Sequence, residues 1–177
     1  MYAVTGVGGY VGGQTALRLL EKVPANQIIV TSRNDAVLAQ FRAKGVQAHK
    51  VDYNDKAALV AAFRGADVVF MVSAMEVGPR RRQQHLNAVE AVKAAGVPRI
   101  VYTSFLGAGD PNINSFEIAD HKYTEKLILD SGLSWNFMRN SQYGEAMAEN
   151  QAAISITSGR SIGNTGNGTV AFISRDD

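Results

Sequence analysis

The sequence has no cysteine among its 177 residues. That excludes a disulfide framework, a thiol nucleophile and any thiolate metal site. Proline occurs four times, too seldom for a proline-rich spacer. Charged residues make up 19% of the chain and leave a formal net charge of +2, which excludes a polyelectrolyte and gives no strong pull on nucleic acid. No apolar run approaches the roughly 18–20 residues of a membrane span, and no leader pattern stands before the first strand-like residues. Neither His49 nor His85 has a second ligand at a useful spacing, so no metal is expected and both read as structural. Hydrophobic residues reach 46%, enough for a packed core. The expectation is a soluble, cytoplasmic domain that stays off membranes.

What the chain does have is glycine, 17 in all, and the first of them are crowded together. Tyr2–Thr5 reads as a short apolar strand. From Tyr10 onward, Val11, Ala16, Leu17, Leu19 and Leu20 recur at helical spacing. Gly6, Gly8, Gly9, Gly12 and Gly13 lie between and within these segments. A strand, a glycine turn and a helix N-terminus together converge backbone N–H groups on an anion. The spacing is G-x-x-G-x-x-G at Gly6, Gly9 and Gly12. Gly6 would turn the chain, Gly9 would admit a diphosphate, and Gly12 would let the helix pack closely on its strand. Tyr10 and Val11, which open the helix, join them as candidate cofactor contacts. The alternative is a glycine turn kept for packing alone.

Strand and helix signals then alternate along the chain. Strands are expected at 28–30, 46–52, 66–74, 99–105 and 133–140. Helices are expected near Ala36–Lys44, 56–65, 80–96 and Phe116–Ser131, with a further one over 143–154. The strands are continuous apolar runs, which implies burial on both faces. The pattern predicts an α/β fold, a Rossmann-type doubly wound parallel sheet. Residues 1–150 would form the NAD(P)-binding Rossmann domain. Residues 151–177 would begin a C-terminal substrate-binding region that looks truncated: the tail is rich in turn formers, carries a short strand near Thr169–Ser174, and stops at an Asp pair that resembles a helix start.

A dinucleotide fold reads the adenosine ribose at the end of its second strand. An acidic residue there selects NAD, whereas this chain has Thr31-Ser32-Arg33-Asn34. Arg33 suits a 2′-phosphate, because its planar fork meets phosphate in two places. The expected cofactor is therefore NADP (NADPH), and the alternative is an ordinary surface arginine. Asp52, after the third strand, is either near the adenine or a helix cap. Arg80-Arg81-Arg82 has no interleaved aromatics, so it reads as a solvated face or a phosphate contact rather than a nucleic-acid site. Trp135 alternates with Phe137 and reads as core.

The segments TGVGGYVGG, TSRN, VDYND, AVKAAGVPRIVYTS, ADHKYTEKLILDSGLSWNFMRNSQY and SRDD resemble the NmrA-like branch of the atypical short-chain dehydrogenases/reductases. Within it they are most similar to the NADPH-dependent quinone oxidoreductase and triphenylmethane reductase group. The resemblance covers essentially the whole chain, and family members are longer. It implies that Ser73 and Ala74 lie beside the cofactor ribose, that Tyr102, Thr103 and Ser104 end the fifth strand at the cofactor, and that His121 faces the nicotinamide side. It also implies that Asn140 and Tyr143 line the cleft, Asn140 as a cofactor contact. His121 and Tyr143 are the catalytic candidates. His121 would hydrogen-bond an acceptor oxygen or merely cap or pack the start of its helix, and Tyr143 would stack on a substrate ring or fill the wall.

Ordinary short-chain dehydrogenases place a Tyr and a Lys four residues apart on one helix. Here Tyr123 is followed by Lys126, and position 127 is Leu. The missing pair counts against reversible alcohol oxidation, which needs a positioned base. It counts less against hydride transfer to a quinone or another conjugated aromatic acceptor, where positioning dominates. The expected activity is an NADPH-dependent oxidoreductase of that kind with a small-molecule substrate, and a homodimer is compatible with it. The alternative is a non-catalytic, NAD(P)-sensing regulator of the NmrA type.

Overall fold

The computed structural model describes residues 1–113, 115–160, 167 and 169–177. Eleven elements alternate through the first 140 residues: β1 (Tyr2–Val4), α1 (Tyr10–Leu20), β2 (Ile28–Ser32), α2 (Asp35–Arg42), β3 (Gln47–Lys50), α3 (Lys56–Phe63), β4 (Val68–Met71), α4 (Pro79–Ala94), β5 (Arg99–Phe105), α5 (Phe116–Asp130) and β6 (Ser134–Asn140). They build a six-stranded sheet in the order β3-β2-β1-β4-β5-β6, with β1–β2, β1–β4, β2–β3 and β4–β5 all paired in parallel. This is the expected Rossmann-type α/β sheet, and its order reverses between β1 and β4, where such folds bind ligands.

Helices cover both faces. In β2 the side chains of Ile28 and Val30 join Ala16 of α1 and Leu38 and Phe41 of α2, whereas Ile29 joins Leu59, Phe63, Val92 and Ile128 of α3, α4 and α5. The two-residue period of the strand thus feeds two separate cores. Burial on both faces holds for β2 and fails at the sheet edges, where β3 and β6 are largely exposed. Trp135 therefore corrects its sequence reading: it is 44% exposed on edge strand β6 and stacks on Phe137 at 4.2 Å instead of entering the core. Residues i and i+2 share a face of a strand, but an edge strand has neighbours on one side only.

Contacts divide the chain into two compact units, Met1–Arg139 and Asn140–Asp177. In the second, β7 (Gln142–Tyr143) pairs in parallel with β8 (Phe172–Ile173), and α6 (Gly144–Ser158) lies between them in sequence. Ser174 hydrogen-bonds Glu145 at 2.5 Å, and Arg175 reaches Glu149 at 3.2 Å. Of the turn-rich tail, residues 161–166 and 168 lie outside the described residues. No described helix is long and apolar enough to cross a membrane.

Candidate active site

The glycine turn follows directly from β1. Gly6 adopts φ +65°, the left-handed region where a side chain is disfavoured. Its carbonyl accepts the Gly9 N–H at 2.9 Å, and Val7 N–H reaches Thr31 O at 3.1 Å, which lays the turn against the end of β2. At Gly12 a Cβ would sit 2.6 Å from the carbonyl oxygens of both Thr5 and Gly6. Only glycine lets α1 approach β1 so closely. At Gly9 a Cβ would find ordinary contact, 3.5 Å from Gly6 O, so its missing side chain is not needed for packing. Gly6, Gly8, Gly9 and Tyr10 are exposed, while Val11 is partly covered. No side chain caps α1, and its first turn holds no acidic residue. The cradle is open and positive, as an anion requires.

Arg33 follows β2 with its side chain 74% exposed, and among the described residues it pairs with Asp52 alone, at 3.6 Å. Asp52 accepts from Asn54 N–H at 2.8 Å and from its Nδ2 at 2.6 Å. The cap of α3 is Asp55, which accepts the Ala58 N–H, so the capping alternative for Asp52 falls. Asn34 caps α2. A cavity of about 370 Å³ opens between α1 and α2, with Gly8, Gly9, Leu17, Phe41 and Lys44 in its wall; none of Ser73, Ala74, Thr103 or His121 lines it.

The ends of β4 and β5 are built differently. Thr103 Oγ1 accepts the Ser73 N–H at 2.8 Å, and His85 Nε2 accepts the Ala74 N–H at 3.0 Å. His85 is fully buried; its Nδ1 lies 2.7 Å from Thr124 Oγ1, whose hydroxyl donates to Asp120 O at 2.9 Å. Because Nε2 accepts, the ring proton is on Nδ1 and points at Thr124. Burial, with Arg81 nearby, lowers the His85 pKa to about 3. His85 is thus a neutral strut that fixes the backbone of Ala74.

Tyr102 is fully buried and its hydroxyl lies 2.7 Å from His121 Nδ1. Ser104 is buried and donates to Glu125 Oε1 at 2.6 Å, while Arg139 grips Glu125 with two bonds of 2.9 and 2.8 Å. The side chains of Tyr102 and Ser104 are spent inside the protein, and those two residues hold the neighbourhood rather than offer surface to a cofactor. His121 is 5% exposed, and the cap of α5 is Ser115, which accepts the Ile118 N–H. The capping alternative for His121 falls too, while the packing alternative stands, the ring lying against Tyr102 and Phe105. Burial first, then Arg81, lowers the His121 pKa to about 4.

Sequence spacing did not reveal Asp120. It is fully buried, accepts the Gly78 N–H at 2.6 Å and Arg82 Nε at 2.6 Å, and stands 4.0 Å from Arg81 Nη1. The arginine run is absorbed here: Arg80 pairs with Glu76, Arg81 donates to Glu76 O, and Arg82 also lies over the Tyr123 ring at 5.5 Å. The run anchors the loop after β4 to α5 and presents no basic stripe. Lys126 pairs with Asp130 at 2.9 Å, so it does not serve Tyr123. In the second unit, Asn140 Nδ2 donates to the Tyr143 hydroxyl at 2.8 Å. Among the described residues no cluster of His, Asp and Glu is arranged to hold a metal.

Residues 6–177 match the profile of an NAD(P)H-binding family. The chain belongs to this family. It is 38% identical over 178 residues to Quinone oxidoreductase 2 of Escherichia coli, covering 100% of this chain and 60% of that protein. An NADPH-dependent quinone oxidoreductase from E. coli, solved with NADPH, superposes with a TM-score of 0.87 at 36% identity, over 99% of this chain and 60% of that one. The triphenylmethane reductase of Citrobacter sp., solved with NADP(H), superposes at 0.86 with 33% identity, over 99% and 62%. The resemblance seen in the sequence therefore holds, and the chain spans about 60% of the length of these relatives.

Proposed function

We propose that this chain is the nucleotide-binding part of an NADPH-dependent oxidoreductase that reduces a quinone or a similar conjugated acceptor. The observation that carries the reading is the open glycine cradle at Gly6–Tyr10, set against the end of β2 where Arg33 stands exposed. The residues present fit the cofactor. The N-terminal end of α1, just after Gly9, suits the diphosphate through its dipole, and Gly9 has the space that packing does not use. Arg33 swings from its long contact with Asp52 to meet the 2′-phosphate. Ser73, Ala74 and Thr103, each fixed through a backbone or hydroxyl bond, border the nucleotide. His121 belongs to the acceptor side, and Asn140 and Tyr143 take the roles that the resemblance gives them.

When bound, NADPH supplies a hydride, that is, two electrons and one proton. The chain orients the acceptor; a quinone that has taken the hydride is a hydroquinone monoanion, and its anionic oxygen takes one proton from solvent as the product leaves. No Tyr–Lys pair is needed for that, and Tyr123→Phe leaves turnover within about threefold. The proposal is tested by following NADPH and NADH oxidation with a panel of quinones. Faster turnover with NADPH supports it. Tight NADPH binding without turnover of any acceptor would overturn it in favour of a nucleotide-sensing protein.

A further inference from the structure

We propose that Tyr102 is a positioning residue that holds the imidazole of His121 with its single proton on Nε2, so that His121 donates a hydrogen bond to a carbonyl oxygen of the acceptor. Only the last clause rests on the functional reading above. The geometry begins with the phenol. Tyr102 has no exposed surface, and its proton must be placed inside the protein. Among the described residues, His121 Nδ1, at 2.7 Å, is the partner that meets it in hydrogen-bond geometry; Ser73 and Thr124 also act on the phenol, and the Thr124 proton is already given to Asp120 O. A proton on Nδ1 would take the well-aligned acceptor from the phenol and leave its proton to the poorer Ser73 and Thr124 contacts at a buried site, which proteins avoid. The satisfied arrangement is therefore O–H donating to Nδ1, with the ring proton on Nε2.

The ring is also fixed in orientation. It lies between Tyr102 and Phe105, with centroids 5.8 and 5.7 Å away and planes tilted by 32° and 31°. Nε2 bonds no described residue. It is also absent from the described side-chain atoms that are both buried and partnerless, which are Ser73 Oγ, Arg81 Nη1 and Gln84 Oε1. Nε2 is thus a polar atom of this cluster left for a ligand, and unlike Ser73 Oγ it is not sealed in. The charged groups facing the ring are Arg81, which disfavours the imidazolium, and Asp120 and Glu125, which favour it; burial decides in favour of the neutral ring. Burial likewise pushes the Tyr102 phenol up. A neutral imidazole that donates a hydrogen bond can polarise a carbonyl where negative charge develops. His85 shows the opposite assignment a few ångströms away, with its proton on Nδ1 and both nitrogens bonded internally.

The test is long-range proton–nitrogen NMR on this chain from pH 5 to 8. His121 should show one tautomer, protonated at Nε2, without titrating, and His85 should show the Nδ1 form as the internal reference. In Tyr102→Phe the His121 signals should shift to a mixture of tautomers. An Nδ1-protonated His121 in the parent chain overturns the proposal without any variant, as does a tautomer unchanged in a folded Tyr102→Phe. In quinone reduction, Tyr102→Phe should lower kcat by tenfold or more and leave the KM for NADPH within twofold. Absence of NADPH binding beside an Nε2-protonated His121 would overturn the functional reading while supporting the lock.

Discussion

The end of β1 and the ends of β4 and β5 lie at the same edge of one sheet, yet they are made of different material. At β1 the surface is backbone. Gly8, Gly9 and Tyr10 are exposed, no side chain caps α1, and the charges nearby, Lys44 across the cavity and Arg33 after β2, sit on other elements. At β4 and β5 the surface rests on side chains that hold one another. His85 holds Ala74, Thr103 holds Ser73, Tyr102 holds His121, and Asp120 holds Gly78 and Arg82. The first kind of site is fixed by what is missing, and added atoms there either break the fold, as at Gly12, or fill the ligand's space, as at Gly9. The second is fixed by satisfied polar groups and tolerates no subtraction.

Removing one partner at the side-chain end should do the most damage. Asp120→Ala strands the buried Arg81 guanidinium and frees the loop after β4, so it should cost about 3–5 kcal/mol of stability, read by urea unfolding. A loss under about 1 kcal/mol would mean that water satisfies Arg81.

Acid attacks the same end. The folded pKa values of His85 and His121, about 3 and about 4, lie below the ordinary 6.5, so the unfolded chain binds more protons as pH falls. Stability should be level above pH 6.5 and fall by about 1.4 kcal/mol per histidine for each pH unit below it, until the folded pKa is reached. At pH 5 the two together should remove roughly 4 kcal/mol. Unfolding curves that are flat down to pH 4 would show that neither ring is held neutral.

The backbone end should respond to addition. Gly9→Val should fold, because a Cβ has room there, yet weaken NADPH binding by at least about 100-fold, or about 2.7 kcal/mol. Gly12→Val, by contrast, should lose stability first, because its Cβ meets two carbonyl oxygens at 2.6 Å. Calorimetry beside thermal melts separates the two. If both variants simply unfolded, the distinction between a ligand glycine and a packing glycine would collapse.

The smallest effect is expected at Arg33→Ala. It should cost about 1–3 kcal/mol of NADPH affinity, as for a charge-assisted contact, and almost nothing for NADH. Equal losses for the two cofactors would detach Arg33 from the 2′-phosphate.

The difference between the two ends also explains what could be read in the sequence. The glycine turn, Arg33 and the bounds of β5 and α5 depend on neighbours a few residues away, and spacing reveals them. Asp120 and Gly78 lie 42 residues apart, and Ser104 and Glu125 lie 21 apart. A buried carboxylate on a helix looks the same in sequence as a solvated one until its partners are known. Trp135 failed for a related reason: alternation reveals a shared face, but not that β6 is an edge. The arginine run looked like a surface feature because a run of charge carries no sign of the acceptors folded against it.

The pairing of β1 also bears on how the chain is made. β1 is a central strand, flanked on one side by β2 and on the other by β4, where Tyr2 stands opposite Val68, 66 residues later. During translation at roughly 5–20 residues per second, that second neighbour is synthesised about 3–13 s after β1. For that interval one edge of β1 has no partner strand, and the apolar residues Ala3 and Val4 depend on whatever shelters a nascent chain.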